Sequence, residues 1–312
     1  MNELLPVIKS KTDKRDFIWE NYANITKTLP KECNYIEELL PIRDQGSQGT
    51  CFAQSAACMK EWQEKKDYGL NDYLSPQFFY NQRDYWNNGV KDGDGIWEDY
   101  GMESRDVMRI LKNIGICLEK DYPYGIVEKA NKIPAEIYES AKKHCIKSYA
   151  RIDTLEGLKL SLYQNGPCLI AFPVYNYDME IWKKQDENST FLGGHAMVVV
   201  GYDDNEQQFI IRNSWGTYWG VNGYCFYKYE DWGAHWECWT TIDKKTIFVE
   251  EVEEVDEVEE VEEEEVEEVE EEEEEEEDIV NENEYVIIDK EEKKDKDCFD
   301  WIKDIVKNFR KN

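Results

Sequence analysis

Histidine is scarce in this chain: only His144, His195 and His235 occur in 312 residues. Chemistry that needs an imidazole near neutral pH must therefore draw on one of three positions. No apolar run approaches the roughly 20 residues that a membrane-spanning helix requires, so no transmembrane segment is expected. The apolar core of a secretory leader is missing too, because Asn2-Glu3-Leu4-Leu5-Pro6-Val7-Ile8-Lys9 turns polar quickly. Nothing forms a basic stripe, which argues against nucleic acid as a partner. The nine cysteines (Cys33, Cys51, Cys58, Cys117, Cys145, Cys168, Cys225, Cys238, Cys298) are odd in number and lack metal-ligand spacing. No metal or other cofactor is implied. An intracellular, reducing (cytoplasmic) setting is expected, with most thiols acting as small core groups, and a Cys225–Cys238 bridge stays open.

What the chain has in excess is negative charge, and that charge is unevenly placed. The formal net charge is −32, yet residues 250–278 alone hold 23 acidic side chains and six valines without one base. Without that run the charge falls to −9, an ordinary value. Like charges three and four apart repel, and six valines bury too little area to offset chain entropy, so residues 248–280 are expected to be a disordered acidic spacer. Beyond it, residues 281–312 carry a candidate amphipathic helix at 298–310, with Phe299, Ile302, Ile305, Val306 and Phe309 on one face and lysines on the other. Such a helix would dock on a partner, a membrane surface or its own chain. Residues 1–34 are expected to be an N-terminal extension, leaving 35–247 as the folded domain.

Within that domain one stretch joins loop-forming residues to a helix-forming run: Gln45-Gly46-Ser47-Gln48-Gly49-Thr50-Cys51-Phe52-Ala53-Gln54-Ser55-Ala56. With Thr50 as N-cap, Cys51 falls in the first helical turn, where free N–H groups and the helix dipole favour a thiolate. Gln45 is placed to aim an amide N–H at an oxygen that gains charge beside the sulfur. Lowering a thiol from about 8.5 to about 4 takes on the order of 6 kcal/mol, whereas a helix terminus supplies at most about 2 kcal/mol. The remainder calls for an imidazolium. His195 has the right setting, since Gly193-Gly194 leads through it into the β-branched run Met197-Val198-Val199-Val200. A second strand, 208–212, ends at Asn213. If the strands pair, the Asn213 oxygen would accept the imidazole Nδ1–H and leave Nε2 facing the sulfur.

Three blocks now resemble a known family. Gln-Gly-Ser-x-Gly-Thr-Cys-Phe-Ala from Gln45, Gly-His-Ala-x-x-x-x-Gly-Tyr from Gly194 and Arg-Asn-Ser-Trp-Gly-x-x-Trp-Gly-x-x-Gly-Tyr from Arg212 are similar to the signatures of papain-like (cathepsin-type) cysteine peptidases. They stand in the order Cys, His, Asn, separated by 144 and 18 positions. The resemblance spans residues 36–241. It implies Cys51 as nucleophile, His195 as proton shuttle and Asn213 as the residue orienting the imidazole. It also implies Gln45 as oxyanion donor, Trp215 as shield of the His–Asn contact, and a protein or peptide substrate.

The departures are informative. Phe52 stands where papain has tryptophan, Gln48 where secreted relatives carry a disulfide cysteine, and Gly194 where papain has a carboxylate. The family's substrate-binding Cys-Asn-Gly-Gly stretch is replaced near residues 91–97. The extension is too short for a full-length inhibitory propeptide, which argues against N-terminal control, although residues 18–25 have the composition to lie across a cleft.

The patterning predicts helices over 51–66, 103–113, 133–144 and 154–164, then strands over 168–174, around His195, at 208–212, 223–229 and 237–241. Residues 73–80 resemble a family segment in which Ser75 caps a helix with Pro76 at its first position. A helical half followed by a strand-rich half implies an α+β, papain-like fold of two subdomains with the cleft between them. Two other classes compete with a peptidase: a thiol acyl transferase or deamidase on the same scaffold, and a binding protein that lost activity. New amino termini released from a protein substrate separate the first, and the intact set of four site residues argues against the second.

Overall fold

A computed structural model describes residues 7–23, 28–83, 99–176, 178–182, 184 and 186–243. The acidic run and the C-terminal helix expected at 298–310 lie outside the described residues, as do 91–97.

The helical half is built around α1 (Cys51–Tyr68), which Gly69 closes in the left-handed conformation at φ 71°. The periodicity suggested one apolar face through Phe52, Ala56 and Met59. In the structure every side chain from Cys51 to Glu64 is buried, because α1 lies inside the molecule with neighbours all round. Polar residues are admitted there only with partners: Glu61 accepts from Leu74 N–H at 2.8 Å and pairs with the Arg43 guanidinium. Thr50 sits at the N-cap position but makes no side-chain cap; its hydroxyl bonds instead to the Tyr124 hydroxyl at 2.7 Å. Ser75 does cap α2 (Pro76–Tyr80), accepting from Phe78 N–H at 3.0 Å, with Pro76 at the first position. The predicted helix at 103–113 is α3 (Ser104–Asn113). That at 133–144 is shorter as α4 (Ala135–Ala141), followed by one tighter 3-10 turn. The last helix, α5 (Leu155–Asn165), is capped by Thr154, which accepts from Gly157 N–H.

The strand-rich half is an antiparallel sheet of seven strands among the described residues. Its strands are β1 (Glu32–Asn34), β2 (Ser148–Ile152), β3 (Cys168–Val174), β4 (Gly193–Asp203), β5 (Gln208–Arg212), β6 (Tyr224–Lys228) and β7 (Glu237–Ile242). The order is β2-β7-β3-β4-β5-β6, with β1 on β4. Strands β1 and β2 were not legible in the pattern, because each is short and mixed in polarity. The central β3 and β4 are buried nearly end to end, and β4 packs against α1. That packing carries the site, since His195 opens β4 opposite Phe172 and Asn213 follows β5, the next strand across. Cys225 and Cys238 are free thiols. Among the described residues no helix is long and apolar enough to cross a membrane.

Candidate active site

Cys51 is the first residue of α1, and the backbone amides of Ala196, next to His195 on β4, and of Phe52 and Cys51 are near enough to its sulfur to favour negative charge there. His195 meets Asn213 at 2.8 Å, but through Nε2 rather than the expected Nδ1. Asn213 Oδ1 also accepts the Ser214 N–H at 2.7 Å, so the oxygen end of the carboxamide faces both donors and the imidazole proton must sit on Nε2. With Nε2 committed to Asn213, Nδ1 is the ring nitrogen left free to exchange a proton. Nδ1 is buried and has no hydrogen-bond partner among the described residues.

Gln45 joins the same assembly through a residue that sequence patterning did not single out. Ser214 donates its hydroxyl to Gln45 Oε1 at 2.7 Å, and the Gln45 N–H donates to the Ser214 carbonyl at 2.8 Å. With its oxygen held, the carboxamide presents Nε2 as a donor, which here bonds to the Gln48 carbonyl at 3.0 Å. Tyr124 steadies this loop by donating to the Gln45 carbonyl at 2.9 Å. An unbroken run of bonds thus links Gln45, Ser214, Asn213 and His195. Trp215 lies over the imidazole with ring centroids 4.3 Å apart, and Trp182 packs edge-on at 5.4 Å. Trp182 sits in a loop with no repeat or motif to mark it.

The site is covered. Cys51 is 1% exposed and His195 0%. Val7 donates its N–H to the carbonyl of Gly194, next to His195, at 3.3 Å, and Ile8 donates to the Met102 carbonyl in the helical half at 3.1 Å. Residues 7 and 8 therefore bridge the two walls. Ser10 N–H bonds to a Glu237 carboxylate oxygen at 3.0 Å, and Arg105 holds the Lys11 carbonyl and Asp16. Gly194 has to lack a side chain here, because a Cβ would meet the Trp236 ring at 2.4 Å and Val7 Cβ at 2.9 Å. The extension is short, yet two of its residues reach from one wall to the other. Of the stretch 18–25, Ile18 pairs with Arg151 on β2, while residues 24 and 25 lie outside the described residues.

Burial sets the charge state. It pushes the Cys51 thiol up to about 12 against the pull of the three N–H groups. It also lowers His195 to about 4, opposed by the Asn213 bond. While the site is covered, desolvation therefore disfavours the charged form of both the thiol and the imidazole.

A family model described as papain family cysteine protease matches residues 29–238. An uncharacterized peptidase C1-like protein of Acanthamoeba polyphaga mimivirus is 30% identical over 255 residues, covering 70% of this chain and 78% of that one. Cysteine proteinase 3 of Entamoeba histolytica is 26% identical over 211 residues, 65% of this chain and 64% of its own length. Among solved structures, Xylellain, a cysteine protease from Xylella fastidiosa, superposes with a TM-score of 0.66 at 26% identity, covering 77% of this chain and 96% of that one.

Proposed function

The chain belongs to the papain family of cysteine proteases, and from that premise we propose that Cys51, His195, Asn213 and Gln45 hydrolyse peptide bonds through an acyl-thioester. His195 Nδ1 takes the Cys51 proton as the sulfur attacks the carbonyl carbon. The oxygen that becomes negative is held by the Cys51 N–H and by Gln45 Nε2 once it leaves the Gln48 carbonyl. Collapse expels the amine, which takes the proton back from His195. Water, activated by the same nitrogen, then splits the thioester and restores the thiol. Asn213 keeps Nδ1 turned toward the sulfur, and Trp215 keeps water from the Nε2–Asn213 bond.

The observation that carries this proposal is the bonded run from Gln45 to His195 beside a sulfur at the head of α1. The bridging segment 7–11 supports a latent resting state in which the pair is neutral and the cleft is closed. Cys51→Ala removes one sulfur atom and should leave the fold intact. New amino termini counted after incubation with a denatured protein substrate are expected from the wild type and absent from Cys51→Ala. A variant still releasing them would refute the assignment.

A further inference from the structure

The Asn213 carboxamide has a second end that the site described so far does not use. Oδ1 is bound by His195 and Ser214, but Nδ2 is buried and has no hydrogen-bond partner among the described residues. One turn after Cys51 on α1, Gln54 has the complementary deficit. Its amide is hydrogen-bonded to the Tyr124 hydroxyl, while Oε1 is buried without a partner. Asn213 is 3% and Gln54 4% exposed, so neither orphan is served by bulk solvent. Both residues line one cavity of about 20 Å³, shared with Ser55, Cys58 and Arg212.

A water needs about 10–15 Å³ and two to four polar partners. This cavity offers the volume, one unused donor and one unused acceptor. Arg43 and Arg212 also line it, but Arg43 is taken up by Glu61 and Glu119 and Arg212 by the Pro41 carbonyl. An anion would therefore gain Nδ2 and still face the Gln54 carbonyl oxygen, whereas water can accept from the first and donate to the second. We propose that Gln54 is a positioning residue, which holds the Asn213 carboxamide through a single buried water so that Oδ1 stays on the imidazole. It touches neither substrate nor the reacting atoms; it acts through Asn213, and the proposal rests on the peptidase reading of that residue. Gln54 sits three positions after the nucleophile, on the α1 face that also carries Cys51 and Cys58, which is why a polar side chain there can reach under the end of β5.

The test is a double-mutant cycle on the full chain, with peptide hydrolysis normalised to sites titrated by an active-site epoxide. Gln54→Met keeps the volume and removes the acceptor. It is expected to lower kcat by about 3–10-fold, the worth of one hydrogen bond, with KM within about twofold. In an Asn213→Ala background the same change should cost less than about twofold, because the water then has nothing to orient. Equal losses in both backgrounds, or no loss in the first, overturn the proposal while leaving the peptidase assignment standing. Turnover surviving in Cys51→Ala would remove both together. Should Gln54→Met fail to fold, a high-resolution crystal structure of the wild type decides: solvent density within hydrogen-bond distance of Asn213 Nδ2 and Gln54 Oε1 supports the water, and an empty or apolar cavity overturns it.

Discussion

At the scale of single residues, the arrangement depends on which end of each carboxamide faces which donor. Asn213 turns its oxygen to His195 because Ser214 N–H claims the same oxygen; Gln45 turns its nitrogen outward because the Ser214 hydroxyl claims its oxygen. Ser214 therefore orients both. Gln45→Ala should lower kcat by about 10²–10³, as for loss of one oxyanion donor, and steady-state kinetics with a peptide substrate checks this; an unchanged kcat would make Gln45 purely structural. The sequence blocks identify Gln45, Cys51, His195 and Asn213 because their residue types and order are distinctive. Which imidazole nitrogen meets Asn213 was not legible. That choice depends on where the end of β5 falls relative to the ring, a matter of tertiary placement. Ser214 and Trp182 were missed for the same reason: nothing in residue type marks a serine or tryptophan until its neighbours are known.

At the scale of elements, α1 shows how burial can override periodicity. A helix with polar residues spread round it reads as partly solvated, yet here it is enclosed and its charges are matched inside. Lys60, 1% exposed, pairs with Glu64 at 2.6 Å and with Asp243 just past β7, and Glu64 also faces His144 Nδ1 at 3.0 Å. Removing one partner of such a group leaves uncompensated carboxylates in the interior. Lys60→Ala is therefore expected to destabilise the fold by about 3–5 kcal/mol, measured as a drop in the urea midpoint at constant slope; a change under about 1 kcal/mol would mean that water reaches the cluster. Local residue types placed the helix starts near Ser75 and Thr154, but the cap expected at Thr50 does not form. Strands β1 and β2 were not legible, because each is fixed mainly by its partner, β4 for the first and β7 for the second.

At the scale of the whole molecule, the N-terminal segment and the buried site form one coupled unit. His195 is lowered to about 4 in the covered state, against about 6.5 for an exposed imidazole. As pH falls, the unfolded chain takes up that proton first. His195 therefore contributes stability that is fully present above about 6.5 and is lost progressively toward about 4. An NMR titration of the His195 ring in the full chain should show a midpoint near 4; one at 6.5 or above would contradict a closed, neutral pair.

The cover and the chemistry meet in one experiment. Val7→Asp places a charge where Val7 is buried beside Gly194 and Trp236, and should loosen segment 7–11 from the cleft. The decisive measurement is the site and rate of labelling by a peptidyl epoxide in that variant, mapped by mass spectrometry with and without His195→Ala. The account predicts labelling at Cys51 alone among the nine cysteines, faster than in the covered wild type and reduced to the background of ordinary thiols once His195 is gone. Labelling of Cys51 that is equally fast without His195, or label spread over other cysteines, would contradict it.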